Sequence, residues 1–183
     1  MEKGLLKFAI SMLIANAIRF LRFIPNNDPI MAMMLPYSKQ KSKWKAFLFP
    51  FLTMVSFDAI TGFLGIWTAV TAITYGGLGL LFTYLYSRMQ KSGKKVGLKA
   101  YLGSGILGVL IFDFITGVLA TPLMFGMTFE QAFLGQIPFT LLHLLTVSGF
   151  VLVITPVLDR HILENPRLED SKILSFFSRP AAL

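Results

Sequence analysis

The chain has 183 residues, 55% of them hydrophobic and 14% charged, with a formal net charge of +8 and a mean hydropathy of +0.68. Soluble domains carry roughly 25% charged residues, so this composition argues against a soluble domain and for an all-α, polytopic membrane helix bundle. The absence of cysteine excludes disulfides and thiolate metal sites. The bases fall in short runs between apolar segments, which fits loops on an anionic leaflet better than a nucleic-acid surface.

A spanning helix needs about 20 apolar residues. The first candidate, 4–23, runs through Arg19 and Arg22 without an Ala-x-Ala type of cleavage site, so it reads as a retained helix and not a signal peptide. Within it Ser11 and Ala15 are a small-xxx-small pair, either an internal packing face or a surface for a partner helix. The next apolar run, 29–37, would rise only roughly 14 Å as a helix, too short to span unless its flanks join in. Segments 44–63, 67–86 and 98–120 qualify as spans. So does 133–158, with Pro138 in its first turns and Pro156 bending or closing its end. Gly103-Ser104-Gly105-Ile106-Leu107-Gly108 matches a dinucleotide-binding pattern by letter. Lying inside an apolar span with no strand before it, it lacks the context that gives the pattern meaning. The expected organisation is a bundle over 1–160 and a polar cytoplasmic tail over 161–183, with an interfacial turn at 173–177.

Loop charge sets the orientation. Lys39, Lys41, Lys43 and Lys45 form one basic connection; Arg88, Lys91, Lys94, Lys95 and Lys99 form another. The connection 64–66 is uncharged, and the one before the last helix carries only Glu130. Both basic loops are therefore expected in the cytoplasm. With 29–37 as a short or broken second helix there are six helices and both termini are cytoplasmic, as Lys3 and Lys7 favour. With five spans the amino terminus lies outside.

The most informative pattern is a repeat: Phe57-Asp58-Ala59-Ile60-Thr61-Gly62 and Phe112-Asp113-Phe114-Ile115-Thr116-Gly117. Each places an acid in an apolar run, where an ionisable group costs about 2.5–3.5 kcal/mol and usually faces the bundle interior. Counted up from the basic loops, Asp58, Asp113 and Arg19 share a layer about 18–20 Å above them. Two readings follow: the acids line a substrate cavity, or Arg19 forms a structural ion pair with Asp58 and Asp113. Gly62 and Gly117 are expected to permit close helix approach, and Thr61 and Thr116 to bond carbonyls or neighbouring helices. His143, mid-span in the last helix, is either a satisfied core histidine or a substrate contact and proton relay. No metal is expected, since only Asp58, Asp113 and distant His161 are on offer. Ser148 lacks a nucleophile elbow, so no enzyme is expected. Asn26, Asn27 and Asp28 after Pro25, Trp67 and Thr68 at the start of the fourth helix, and Glu130, Gln131 and Gln136 enrich the outer side in polar and aromatic groups. Such a lining suits a small heterocyclic ligand.

Arg22-Phe23-Ile24-Pro25-Asn26-Asn27-Asp28-Pro29-Ile30-Met31-Ala32 resembles the Arg-x-x-Pro…Asn-x-x-Pro-Ile-x-Ala stretch of an uncharacterised branch of the substrate-binding (S) components of energy-coupling-factor (ECF) vitamin transporters. The acid-containing Phe57-to-Gly62 repeat resembles the Ser-Asp-x-x-x-Gly that follows there. Length and topology agree over roughly residues 4–160; the motifs cover about 20 residues. The resemblance implies a membrane carrier that captures a vitamin-like small molecule from outside, closed over by the loop after the first helix. It also implies a coupling membrane protein and two cytosolic ATPases as partners; the chain has no Walker sequence, so any use of ATP would be supplied by a partner. Docking through an Ala-x-x-x-Ala on the first helix would fall here on Ser11 and Ala15. Two other readings remain at this stage, a solitary proton-coupled carrier using Asp58, Asp113 and His143, and a non-transporting membrane scaffold.

Overall fold

The computed structural model describes residues 4–21 and 28–165. Its helices are α1 (Leu5–Leu21), α2 (Ile30–Lys39), α3 (Lys43–Thr61), α4 (Ile66–Lys91), α5 (Leu98–Asp113), α6 (Thr121–Phe125) and α7 (Phe129–Pro156). A π-helical stretch, Phe114–Ala120, joins α5 to α6 in one rod, and another, Val157–Leu163, extends α7. The result is an all-α bundle of six rods, with no strand among the described residues. The last rod continues to Leu163, past the point where composition had placed the start of a tail; residues 173–177 lie outside the described residues.

The short α2 stands at the centre. Its ten residues rise about 15 Å, half a membrane, and every residue from Ile30 to Ser38 is buried. The sequence explains this: Ile30-Met31-Ala32-Met33-Met34-Leu35 has no polar face, and a helix apolar all round belongs inside. It packs against α3, α4, α5 and α7. Pro36, lacking an N–H, leaves the carbonyl of Ala32 without its intrahelical donor. The Thr155 hydroxyl of α7 fills that vacancy, donating to the Ala32 carbonyl at 2.8 Å. Ser38 Oγ ties the other end of α2 to the Gly79 carbonyl of α4 at 3.2 Å. Pro50 repeats the device in α3, freeing the Ala46 carbonyl. That carbonyl lies so close to Gly79 that any Cβ at this position would collide with it, so glycine is what lets α3 and α4 approach.

Both ends of the described chain meet at one end of the bundle. Lys7 Nζ donates to the carbonyls of Leu163 (3.3 Å) and Asn165 (3.1 Å). Lys39 pairs with Asp159 at 2.8 Å and Glu164 at 2.6 Å, and the Tyr101 hydroxyl donates to Asp159 at 2.8 Å. Rings of Phe8, Tyr37, Trp44 and Phe49 close this end, Tyr37 stacked on Phe49 at 4.6 Å. Here too lie the basic connections that follow α2 and α4. α2 returns the chain to this end between α1 and α3, the six-rod alternative.

Large apolar side chains face outward along the rods, among them Leu13, Leu123, Leu145 and Val153. Three rods, Ile66–Lys91, Leu98–Phe125 and Phe129–Leu163, are long and apolar enough to cross a membrane. Their outward apolar faces would have no favourable contact in water, so they point to association with a lipid bilayer.

Candidate functional site

Because α2 fills only the half of the bundle that holds the basic loops, the polar residues of α3, α4, α5 and α7 gather beyond its first residue. The two repeats end up in this outer half with different surroundings.

Asp113 is the deeper acid, 2% exposed, at the junction of α5 and the π-helical stretch. Its Oδ1 lies 2.8 Å from His143 Nδ1, and its Oδ2 accepts from the Thr140 hydroxyl at 2.7 Å. Gln136 Nε2 in turn donates to Thr140 at 3.3 Å. Gln136, Thr140 and His143 sit at positions four and three apart, so α7 presents them as one stripe toward α5. The π-helical stretch begins one residue after Asp113, and such wide turns occur frequently at functional sites. His143, 3% exposed, is flanked edge-on by the rings of Phe112 and Phe139. With Asp113 ionised, the carboxylate holds the hydrogen on Nδ1 and leaves Nε2 as the ring's second polar atom. A buried carboxylate–imidazole pair of this kind can hold a proton or orient the ring toward a ligand.

Asp58 serves differently. Its Oδ2 accepts from the Thr68 hydroxyl at 2.6 Å, while Thr68 Oγ1 also accepts from the Gly65 N–H at 3.2 Å. Its backbone carbonyl takes the N–H groups of Gly62 and Phe63. The residue therefore locks the tight connection between α3 and α4. Gly62, at φ +78°, is the left-handed cap of α3 with open space where a Cβ would go. The sequence expectation of close helix approach there is corrected: the glycine is required for the turn. Gly117 does sit in close contact, against the Gln136 side chain.

Asp28 closes the layer on another side. Its Oδ1 accepts from the Ile30 N–H at 2.9 Å, opening α2, and its Oδ2 accepts from the Tyr75 hydroxyl at 2.6 Å. Tyr75 is fully buried and packs on Phe112 with ring centroids 4.2 Å apart. Asp28, Tyr75, Phe112, His143 and Asp113 thus form one continuous cluster drawn from four segments of the chain.

Arg19 does not form the ion pair that sequence reasoning offered it. Its guanidinium lies 4.0 Å from the centroid of the Phe57 ring and donates to Met54 Sδ at 3.1 Å. Asp58 and Asp113 have taken Thr68 and His143 instead. Trp67 opens α4 and rests against Phe125 at 5.7 Å between ring centroids, away from the acids' hydrogen bonds. Ser11 and Ala15 are both internal: Ser11 accepts from the Tyr37 hydroxyl at 2.9 Å, and Ala15 is in the core. A partner docking on α1 would meet a different face. Asn26 and Asn27 lie outside the described residues. Tyr75 and Thr140 escaped sequence reasoning. Thr140 could have been found from the spacing Gln136-x-x-x-Thr140-x-x-His143, whereas Tyr75 carries no local signal.

Among the described residues no group of three or more His, Asp or Glu is placed to hold a metal. No curated protein and no solved structure matches this chain. One family model does, over residues 2–155, which is most of the sequence. The chain belongs to that family, DUF6580, a family of unknown function.

Proposed function

We propose that the protein is the membrane substrate-binding subunit of an ECF-type importer, located in the cell membrane. In this reading it captures a small, vitamin-like organic molecule from outside, and partner subunits drive uptake with ATP. It performs no chemistry itself. The observation that carries the reading is the half-length, fully buried α2 with a polar, aromatic cluster beyond its outer end. A plugged inner half and a polar outer half suit a carrier that loads from one side. The common location of both described ends, together with the resemblance around Pro25 to Ala32, supports the same assignment.

Affinity purification from native membranes in mild detergent, followed by mass spectrometry, tests it. Two ATPases and a coupling membrane protein should accompany the chain, and uptake by proteoliposomes of the assembly should require ATP. Recovery of the bare chain under solute-starved growth would overturn the reading.

The Asp113–His143 pair favours one alternative, a solitary proton-coupled carrier. Uptake that collapses with an uncoupler and persists without any ATPase would establish that alternative.

A further inference from the structure

The carboxylates of the outer layer are each engaged by protein donors: Asp28 by Tyr75 and Ile30, Asp58 by Thr68, Asp113 by Thr140 and His143. Arg19 is the exception. A guanidinium has five N–H donors and stays charged, yet among the described residues Arg19 contacts only the Met54 sulfur, a weak acceptor, and the face of Phe57. It is not a side chain stretched away into lipid, because it is half-buried against α3.

A second unsatisfied group stands beside it. Asn16, one turn earlier on the same face of α1, is 6% exposed and donates from Nδ2 to Ser56 Oγ at 2.9 Å, while its Oδ1 has no partner among the described residues. Buried polar side-chain atoms in folded proteins nearly always have one. Among the described residues, the seam between α1 and the Met54–Phe57 stretch of α3 therefore holds a cation with no anionic partner and, deeper and enclosed, an acceptor without a donor.

Resting on the substrate-binding reading above, we infer that the ligand is a small organic anion. Its carboxylate or phosphate lies on the Arg19 guanidinium, and an N–H or O–H of the same molecule donates to Asn16 Oδ1. The planar fork of Arg19 suits a carboxylate or phosphate with two parallel bonds, and the Phe57 ring packs against it. A phospholipid headgroup offers the same anionic chemistry, and the vesicle arm of the test separates that source from a soluble anion.

The test uses the full chain purified in a phosphate-free detergent, read by thermal unfolding. The probes are a delipidated water-soluble cell extract split on an anion exchanger into retained and flow-through fractions, and phosphatidylglycerol vesicles. The retained fraction should raise the melting temperature of the wild type, and the flow-through should not. Arg19→Gln should weaken the response roughly tenfold to a hundredfold in the titration, the range for losing a charged hydrogen bond. Arg19→Lys should keep part of it. Arg19→Met, which can still pack on Phe57, replaces Gln if that variant does not fold. Stabilisation by the flow-through alone, by neither fraction, or equally in Arg19→Gln would overturn the inference. An Arg19-dependent response to phosphatidylglycerol without one to the retained fraction would also overturn it, identifying a headgroup anchor. A positive result with no ATPase partner keeps the anion site and removes the importer assignment; ATPase partners with no anion response do the reverse.

Discussion

The two repeats use the same letters for different work. In the first, Asp58 lies where α3 ends, half-buried, and its bonds are local: Thr68 stands across a four-residue connection. In the second the helix does not end. It widens into a π-helical stretch, and Asp113 bonds two residues of α7, 27 and 30 positions away. The threonines behave alike, Thr61 and Thr116 each donating to the carbonyl four residues back at 2.8 Å. The phenylalanines diverge: Phe57 supports Arg19, whereas Phe112 bridges Tyr75 and His143. A repeated hexapeptide thus fixes the local backbone habit, and the neighbours decide what the acid does.

The contrast predicts very different costs for removing each acid's partner. His143→Leu leaves a fully buried carboxylate with Thr140 alone, and depriving a buried charged acceptor of a donor costs about 3 kcal/mol or more. Chemical unfolding in detergent should register that loss, together with a failure to load ligand. A cost under about 1 kcal/mol, the scale of an exposed ion pair, would place the pair in water and erase its distinction from Asp58.

Asp58→Ala should be milder. It removes one hydrogen bond to a charged acceptor, about 1.5–3 kcal/mol, at a half-buried position where Thr68 can turn to the Phe63 carbonyl 3.2 Å away. The lower end of that range is expected, with ligand affinity unchanged. If instead affinity falls while stability holds, Asp58 belongs with Asp113 in the binding cluster and the local reading of the first repeat is wrong.

Much of the fold was legible because helix length and loop charge are local properties. The brevity of 29–37 followed from counting apolar residues, and the basic connections marked a single end of the bundle. The partners of the ionisable groups were not legible. Counting residues along each helix offers Arg19, Asp58 and Asp113 a common height, but height says nothing of rotation about the helix axis, and rotation decides which neighbour a side chain meets. So Arg19 faces Met54 and Phe57, and the acids find neutral donors and an imidazole. Ser11 and Ala15 show the same limit, since a small-xxx-small pair reads alike on an inner or an outer face.

The smallest predicted effects concern the glycine that closes each repeat, and there the two repeats should part in sign. At Gly62 the backbone has φ +78° and open space around it, so the objection to a side chain is conformational. Forcing alanine into the left-handed region costs about 1–2 kcal/mol, and Gly62→Ala should lower the unfolding midpoint accordingly. At Gly117 the backbone has no such restriction, and the obstacle is the far end of the Gln136 side chain. That side chain can swing aside, giving up its long bond to Thr140, while alanine gains about 0.5–1 kcal/mol over glycine within a helix. Gly117→Ala should therefore leave stability unchanged or slightly raised. A marked loss there would mean that Gln136 cannot move, and that the stripe from Gln136 to His143 is held as firmly as the acid it serves.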